Sequence, residues 1–251
     1  MKPLLAALLL VLVPAAWTPT AVASAVDTTC TSSARPVVLL HGTFSDSKST
    51  WKELTDALKK DGRCAHALDY GDKGKRPIAQ SAGEVSAFVD EVLRKTGAAT
   101  VDLVGYSQGA VLARYYAKNL GGAAKATSLI GIAPPNHGLP PGNTPDWLAK
   151  RCPACVDMQS GSPFMKALSE GGDLVGAVRY TTIASKHDGL LSLATQALTG
   201  PPGRVSNVVI QDSCPLDFTG HGQMTHAWTT VKWAVNALRN NGLADPAYKP
   251  C

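Results

Sequence analysis

The chain has 251 residues, 45% of them hydrophobic and 17% charged, with a formal net charge of +5. That balance excludes an intrinsically disordered chain, and the length suits one compact domain with a full-sized core. The basic residues are scattered. The one dense cluster, Lys73, Lys75 and Arg76, stands among Gly71, Gly74 and Pro77 and reads as a solvated loop, so no basic stripe with stacking aromatics marks a nucleic-acid partner.

In chain order, the first segment combines Lys2, an apolar block from Leu4 to Trp17, and small residues at Ala21, Ala23 and Ala25. A basic start, an apolar middle and an Ala-x-Ala end read as a secretory signal peptide over residues 1–25, cleaved near Ala23 or Ala25. The block contains Pro14 and spans about 14 residues, short of the ~20 that a membrane helix needs. No later stretch is apolar enough to span a bilayer. The expectation is a secreted, extracellular monomer whose single domain occupies residues 26–251.

Pro36 to Leu40 is a short apolar run ending at His41-Gly42 and predicts a buried strand. Ser49 to Lys60 predicts a helix, with Leu54, Ala57 and Leu58 on one face and Gly62 beyond it. A short strand follows at Ala65 to Asp69. Ile78, Ala82, Val85, Val89, Val92 and Leu93 recur at helical spacing, which predicts a helix from Ile78 to Lys95 stopped by Gly97. Val101 to Val104 predicts a strand, Gln108 to Leu120 a helix, and Ser128 to Ile132 a further strand. Residues 133–175 carry seven prolines and several glycines. They predict a long irregular insertion with one or two short helices, and such loops are often functional. Strands are predicted at Tyr180 to Ala184 and Val205 to Gln211. A last helix, Thr225 to Arg239, puts Trp228, Val231, Val235 and Leu238 on one face. Strands alternating with helices predict an α/β class, with a mostly parallel sheet covered on both sides.

Six cysteines, Cys30, Cys64, Cys152, Cys155, Cys214 and Cys251, suit three disulfides in an exported chain. A zinc site would want a second close pair of Cys or His beside Cys152-Pro-Ala-Cys155, and the other cysteines are isolated. Cys30 and Cys64 each precede a predicted strand, and parallel neighbouring strands would bring them to one sheet edge. Cys152 then pairs locally with Cys155, and Cys214 ties down the tail at Cys251.

Gly105-Tyr106-Ser107-Gln108-Gly109 matches Gly-x-Ser-x-Gly, with a buried strand before it and an Ala-rich helix after it. A serine on so sharp a turn needs small residues two positions either side, so Ser107 is read as a nucleophile. It needs a base, and the base an orienting acid. The chain order expected on such a sheet is Ser, then Asp or Glu, then His. Asp188 follows a predicted strand and is the preferred acid, ahead of Asp157, Asp173 and Asp212. His221, in a Gly-flanked loop, is the preferred base, ahead of His226, which is expected to pack or cap the last helix. His66 is expected on the wrong side of the sheet, and His137 and His187 lie before or beside the acid and break the order. The oxyanion donors are expected to be the Gln108 N–H at a helix N-terminus and the Thr43 N–H, with the Thr43 hydroxyl available as a third.

Pro36 to Phe44, the Ser107 pentapeptide, Cys152-Pro-Ala-Cys155 with Ser160-Gly-Ser-Pro-Phe164, and Cys214-Pro-Leu-Asp217 with His221 together resemble the class 2 lipases of actinobacteria. The resemblance spans about residues 30–240. It implies a secreted α/β-hydrolase fold, with the nucleophile on Ser107, the acid on Asp188 and the base on His221. It also implies a lipase or esterase acting on acylglycerols or fatty acyl esters, with no metal or organic cofactor. The insertion (Leu139, Trp147, Leu148, Phe164, Met165, Leu168) is expected to wall an acyl pocket or pack the core. The rival readings are an acyltransferase with the same triad and a non-catalytic binding protein on the same fold.

Overall fold

The computed structural model describes residues 26–142 and 144–251. The signal peptide expected over residues 1–25 lies outside the described residues. Six strands form one sheet: β1 Val37–Leu40, β2 Ala65–Leu68, β3 Val101–Tyr106, β4 Ala126–Ile132, β5 Arg179–Ala184 and β6 Val205–Val209. Their order is β2-β1-β3-β4-β5-β6, and every pairing is parallel.

The near-continuous apolar strands are explained by burial on both faces. Val38 and Leu40 of β1 join one hydrophobic cluster with the helices Ile78–Thr96 and Gln108–Asn119. Val37 and Leu39 join another, under the helices Lys52–Lys60 and Trp228–Arg239. Each fully buried Leu or Val contributes about 1.5–3 kcal/mol relative to an exposed one. The chain builds β2 outward on one side of β1 and β3 to β6 on the other. The loops after β1 and β3 therefore diverge, leaving a crevice at the carboxyl ends of these strands.

Several expected elements are displaced. The first helix breaks at Trp51 into Ser47–Thr50 and Lys52–Lys60, with the Asp46 carboxylate capping its first turn. The last strand stops at Val209 and a helical turn, Ile210–Ser213, follows. The insertion holds three short helices, Asp146–Ala149, Pro153–Asp157 and Pro163–Ser169. The last helix starts at Trp228, which is 53% exposed, so its buried face is carried instead by Thr230, Val231, Trp233, Ala234, Ala237 and Leu238. Small Thr and Ala side chains let this helix lie close to the sheet, and Trp228 is left outside beneath the Lys232 ammonium, 3.9 Å from its ring centroid.

Three disulfides join Cys30 to Cys64, Cys152 to Cys155 and Cys214 to Cys251. The first spans the parallel neighbours β1 and β2, where Val37 stands opposite Ala65. Among the described residues no helix is long and apolar enough to cross a membrane.

His66 on β2 is 2% exposed, and neither ring nitrogen has a hydrogen-bond partner. Burial depresses its pKa, with the Asp27 charge opposing. An unfolded histidine titrates near ~6.5, so below that pH the unfolded chain binds the extra proton first. Stability then falls as pH drops from that value toward the lower folded one, and levels off below it. His41, also depressed by burial, acts in the same direction. His66→Leu is expected to shrink, without abolishing, the loss of urea midpoint between about pH 7.5 and about pH 5. An unchanged loss would show that His66 is not a titrating liability.

Candidate active site

The segment from β3 into the helix Gln108–Asn119 turns at Ser107, whose φ of 51° and ψ of −121° are rare for a residue with a side chain. The turn is possible because of what flanks it. A Cβ at Gly105 would stand 2.4 Å from Ala110 N, and one at Gly109 would stand 2.1 Å from Leu40 O. The Ser107 N–H donates to Ile132 O at 2.8 Å, which ties the turn to β4.

At the ends of β5 and β6 two further loops reach the same crevice. Asp188 is buried, and its Oδ1 accepts the N–H groups of Leu190 and Leu191 at 3.0 and 2.6 Å. Its Oδ2 lies 2.8 Å from His221 Nδ1, and His221 Nε2 lies 3.1 Å from Ser107 Oγ. With the carboxylate accepting from Nδ1–H, the neutral ring offers its Nε2 lone pair to the serine hydroxyl. Ser107, His221 and Asp188 thus form one unbroken hydrogen-bonded chain.

Gln211, buried in the turn Ile210–Ser213 just after β6, braces both loops. Its Nε2 donates to Ser185 Oγ and to Asp217 O, while its Oε1 accepts from Lys186 N–H. Asp217 in turn accepts from Thr219 N–H and from the Thr229 hydroxyl. Partial burial raises the Asp217 pKa, but these hydrogen bonds outweigh it and hold the carboxylate below its usual range.

The other candidates lie elsewhere. Asp157 accepts the Ile78 N–H, Asp173 pairs with the buried Arg114, and Asp212 pairs with Lys186. His226 precedes the last helix and bonds Glu53 Oε2 at 2.8 Å on the surface. His137 bonds Ala197 O, and the exposed His187 packs on Phe218 with ring centroids 5.0 Å apart.

The loop after β1 is held from several sides. His41 Nδ1 lies 2.8 Å from Gly42 O, and the ring stacks on Tyr70, whose hydroxyl donates to His41 O at 2.5 Å. Phe44, at φ 61°, donates its N–H to Lys73 O at 2.8 Å. The Thr43 hydroxyl donates to Gln108 Oε1 at 2.5 Å, so in this state it is engaged and not free as a third oxyanion donor. The Thr43 N–H has no acceptor among the described residues.

The loop read as merely solvated is the support beneath. Residues Gly71, Asp72, Lys73 and Gly74 all have positive φ and make one left-handed turn. Gly74 packs against it so closely that a Cβ would meet Gly42 O, Thr43 Cα and Gln108 Nε2 within 3.4 Å. Two non-glycine residues in this region cost about 1–2 kcal/mol each, a strain that the contacts with the Thr43 loop offset. The Lys73 and Arg76 charges do face solvent.

Of the insertion residues, Met165 and Leu168 are buried in the core, Leu139, Leu148 and Phe164 pack partly against it, and Trp147 is 65% exposed.

Known proteins share this architecture. Aspergillus fumigatus lipase B superposes with a TM-score of 0.75 at 21% identity, over 85% of this chain and 54% of that one. The mature Bacillus licheniformis lipase BlEst2 gives 0.58 at 20% identity, over 74% of this chain and 83% of that one. Both likenesses identify the α/β-hydrolase fold. A triacylglycerol lipase of Pseudomonas fragi is 29% identical over 190 residues, 67% of this chain and 59% of that protein. The chain thus spans about three-fifths of the length of that relative. The sequence profile of the family described as lipase (class 2) matches residues 34–234, and the chain belongs to the class 2 lipase family.

Proposed function

We propose that the protein is a secreted carboxylic ester hydrolase that cleaves acylglycerols or fatty acyl esters through an acyl-enzyme on Ser107. The observation that carries this reading is the continuous chain from Asp188 Oδ2 through His221 to Ser107 Oγ, at 2.8 and 3.1 Å. Family membership and the name of the Pseudomonas fragi relative support lipolytic chemistry. Three disulfides support an oxidising destination.

In this reading Ser107 Oγ attacks the ester carbonyl while His221 Nε2 takes its proton. Asp188 holds the imidazole tautomer and stabilises the imidazolium. The oxyanion that forms receives hydrogen bonds from the Thr43 and Gln108 N–H groups, the latter at a helix N-terminus whose dipole favours negative charge. His221 then protonates the departing alcohol. Water attacks the acyl-enzyme by the same route in reverse, releasing the fatty acid.

A p-nitrophenyl ester series from short to long acyl chains is expected to be turned over, and a long-chain p-nitrophenyl phosphonate is expected to transfer its phosphonyl group to the peptide containing Ser107, releasing p-nitrophenol and abolishing activity. Labelling at another residue, or full activity after labelling, would sink the reading.

A further inference from the structure

His221 stands on a short 3₁₀ turn, His221–Gln223, between Gly220 and Gly222. Glycine on both sides leaves the backbone freer than usual, so the ring needs external anchors to stay in line with Ser107. Beyond the bond within the turn, from the Met224 N–H to His221 O at 3.2 Å, its peptide groups have two. The His221 N–H donates to Asp188 O at 2.9 Å, and the His221 C=O accepts from the Tyr106 hydroxyl at 2.9 Å.

Tyr106 is the residue immediately before Ser107, at the end of β3. Its phenol crosses the crevice between the elbow and the base. The ring lies against Gly42, where a Cβ would come 3.0 Å from Tyr106 Cδ1, and its centroid is 5.5 Å from the His221 imidazole. Burial, with the Asp188 charge adding to it, pushes the hydroxyl up to about 12. It therefore stays a proton donor throughout the working pH range.

We propose that Tyr106 is a positioning residue: by fixing the His221 carbonyl, its hydroxyl sets the gap between the nucleophile's strand and the base's loop and keeps Nε2 within reach of Ser107 Oγ. The proposal rests on the reading of Ser107 as nucleophile and His221 as base. The physical reason is leverage. The hydroxyl belongs to the residue bonded directly to Ser107, and its ring is packed against Gly42, so a shift of the base loop relative to the nucleophile strains this bond. Misplacement of reacting groups by about 1 Å can cost ~100-fold in rate, so a single anchor of this kind matters more to turnover than to folding.

Tyr106→Phe keeps the ring, and with it the contacts to Gly42 and the imidazole, and removes only the hydroxyl. The expected result is a fall in kcat of about tenfold, the size of one net hydrogen bond, on p-nitrophenyl butyrate. KM should stay within about twofold. The downfield Nδ1–H proton resonance of His221 should broaden as the ring samples more positions. Replacing Tyr106 with 4-aminophenylalanine puts an N–H donor at the same place and should restore most of kcat and the sharp resonance, which a simple packing role would not require. Wild-type kcat and an unchanged resonance in Tyr106→Phe, with His221→Ala inactive, would overturn the Tyr106 proposal alone. A fully active His221→Ala would instead overturn the underlying reading, and the proposal with it. If Tyr106→Phe unfolded, the aminophenylalanine variant would decide by itself: a fold and turnover like wild type sustain the proposal, and a folded protein with kcat reduced tenfold or more overturns it.

Discussion

His221→Ala is expected to lower kcat on a p-nitrophenyl ester by roughly 10⁵- to 10⁶-fold, the loss seen when the base of such a site is removed outright. His226→Ala should stay within about twofold of wild type, because its truncation breaks only an exposed pair of the kind worth ~0–1 kcal/mol. The two histidines are five residues apart and both follow the last strand, yet their surroundings differ completely. His221 Nε2 is 3.1 Å from Ser107 Oγ and its Nδ1 is 2.8 Å from Asp188 Oδ2. His226 Nδ1 faces Glu53 on the helix Lys52–Lys60. Asp188→Asn should cost about 10⁴-fold, since it leaves the geometry but removes the charge and favours the wrong imidazole tautomer. Because the three groups act as a unit, Ser107→Ala combined with His221→Ala should lose little more than either alone. Initial rates on the four single variants and the double, each checked for native unfolding, test all of these together. An inactive His226→Ala beside a working His221→Ala would reverse the assignment.

What could be read from the chain and what could not divides by the range of the interaction that determines it. β1, β3 and the elbow are visible because their causes are local. An apolar run is buried on both faces, and the two glycines around Ser107 sit at a fixed offset from it. The chain order of Ser107, Asp188 and His221 is visible because the order of strands in the sheet brings the loops after β3, β5 and β6 to one rim. The parallel pairing of β1 with β2 likewise makes the Cys30–Cys64 bridge legible.

Tyr106, Gln211 and the turn Gly71–Gly74 escape such a reading. The Tyr106 hydroxyl acts on a carbonyl 115 residues away, and nothing in the pentapeptide announces a phenol in preference to any other bulky group. Asp72 and Lys73 sit in the left-handed region; Asp tolerates it better than most residues, but Lys73 does not favour it, and the contacts with Phe44 and Gly42 override its local preference. The signals that could have raised suspicion were Gly71 and Gly74 bracketing that pair, the spacing of a chain forced into an unusual turn. Trp228 misleads for a related reason. Its spacing matches a buried stripe, but the helix begins with it, and no preceding turn carries the ring over the sheet.

Gly109→Ala, the addition of one methyl group, is expected to be among the most damaging single changes available. Gly109 lies in a helix with ordinary backbone angles, so its requirement for glycine is steric and not conformational. The new Cβ would fall 2.1 Å from Leu40 O and 2.6 Å from His41 O, both backbone atoms that cannot swing aside. Relief demands that the helix Gln108–Asn119 move off β1. Such a shift breaks the close packing that carries the core cluster and costs about 3–5 kcal/mol or more. It also moves the Gln108 N–H away from the Thr43 N–H, because the two donors of the proposed oxyanion hole ride on the elements being pushed apart. Any fraction that folds should therefore lose a further ~100-fold or more in kcat, the effect of one misplaced oxyanion donor. Gly83→Ala is the matched control: in the helix Ile78–Thr96 a Cβ at Gly83 meets nothing within 4 Å. There the same methyl should stabilise by about 0.5–1 kcal/mol through helix propensity alone, with activity unchanged. Urea unfolding and ester turnover on the pair separate the two causes. A Gly109→Ala protein as stable and as active as wild type would mean that the helix does not rest on the carbonyl end of β1, and the elbow geometry would have to be redrawn.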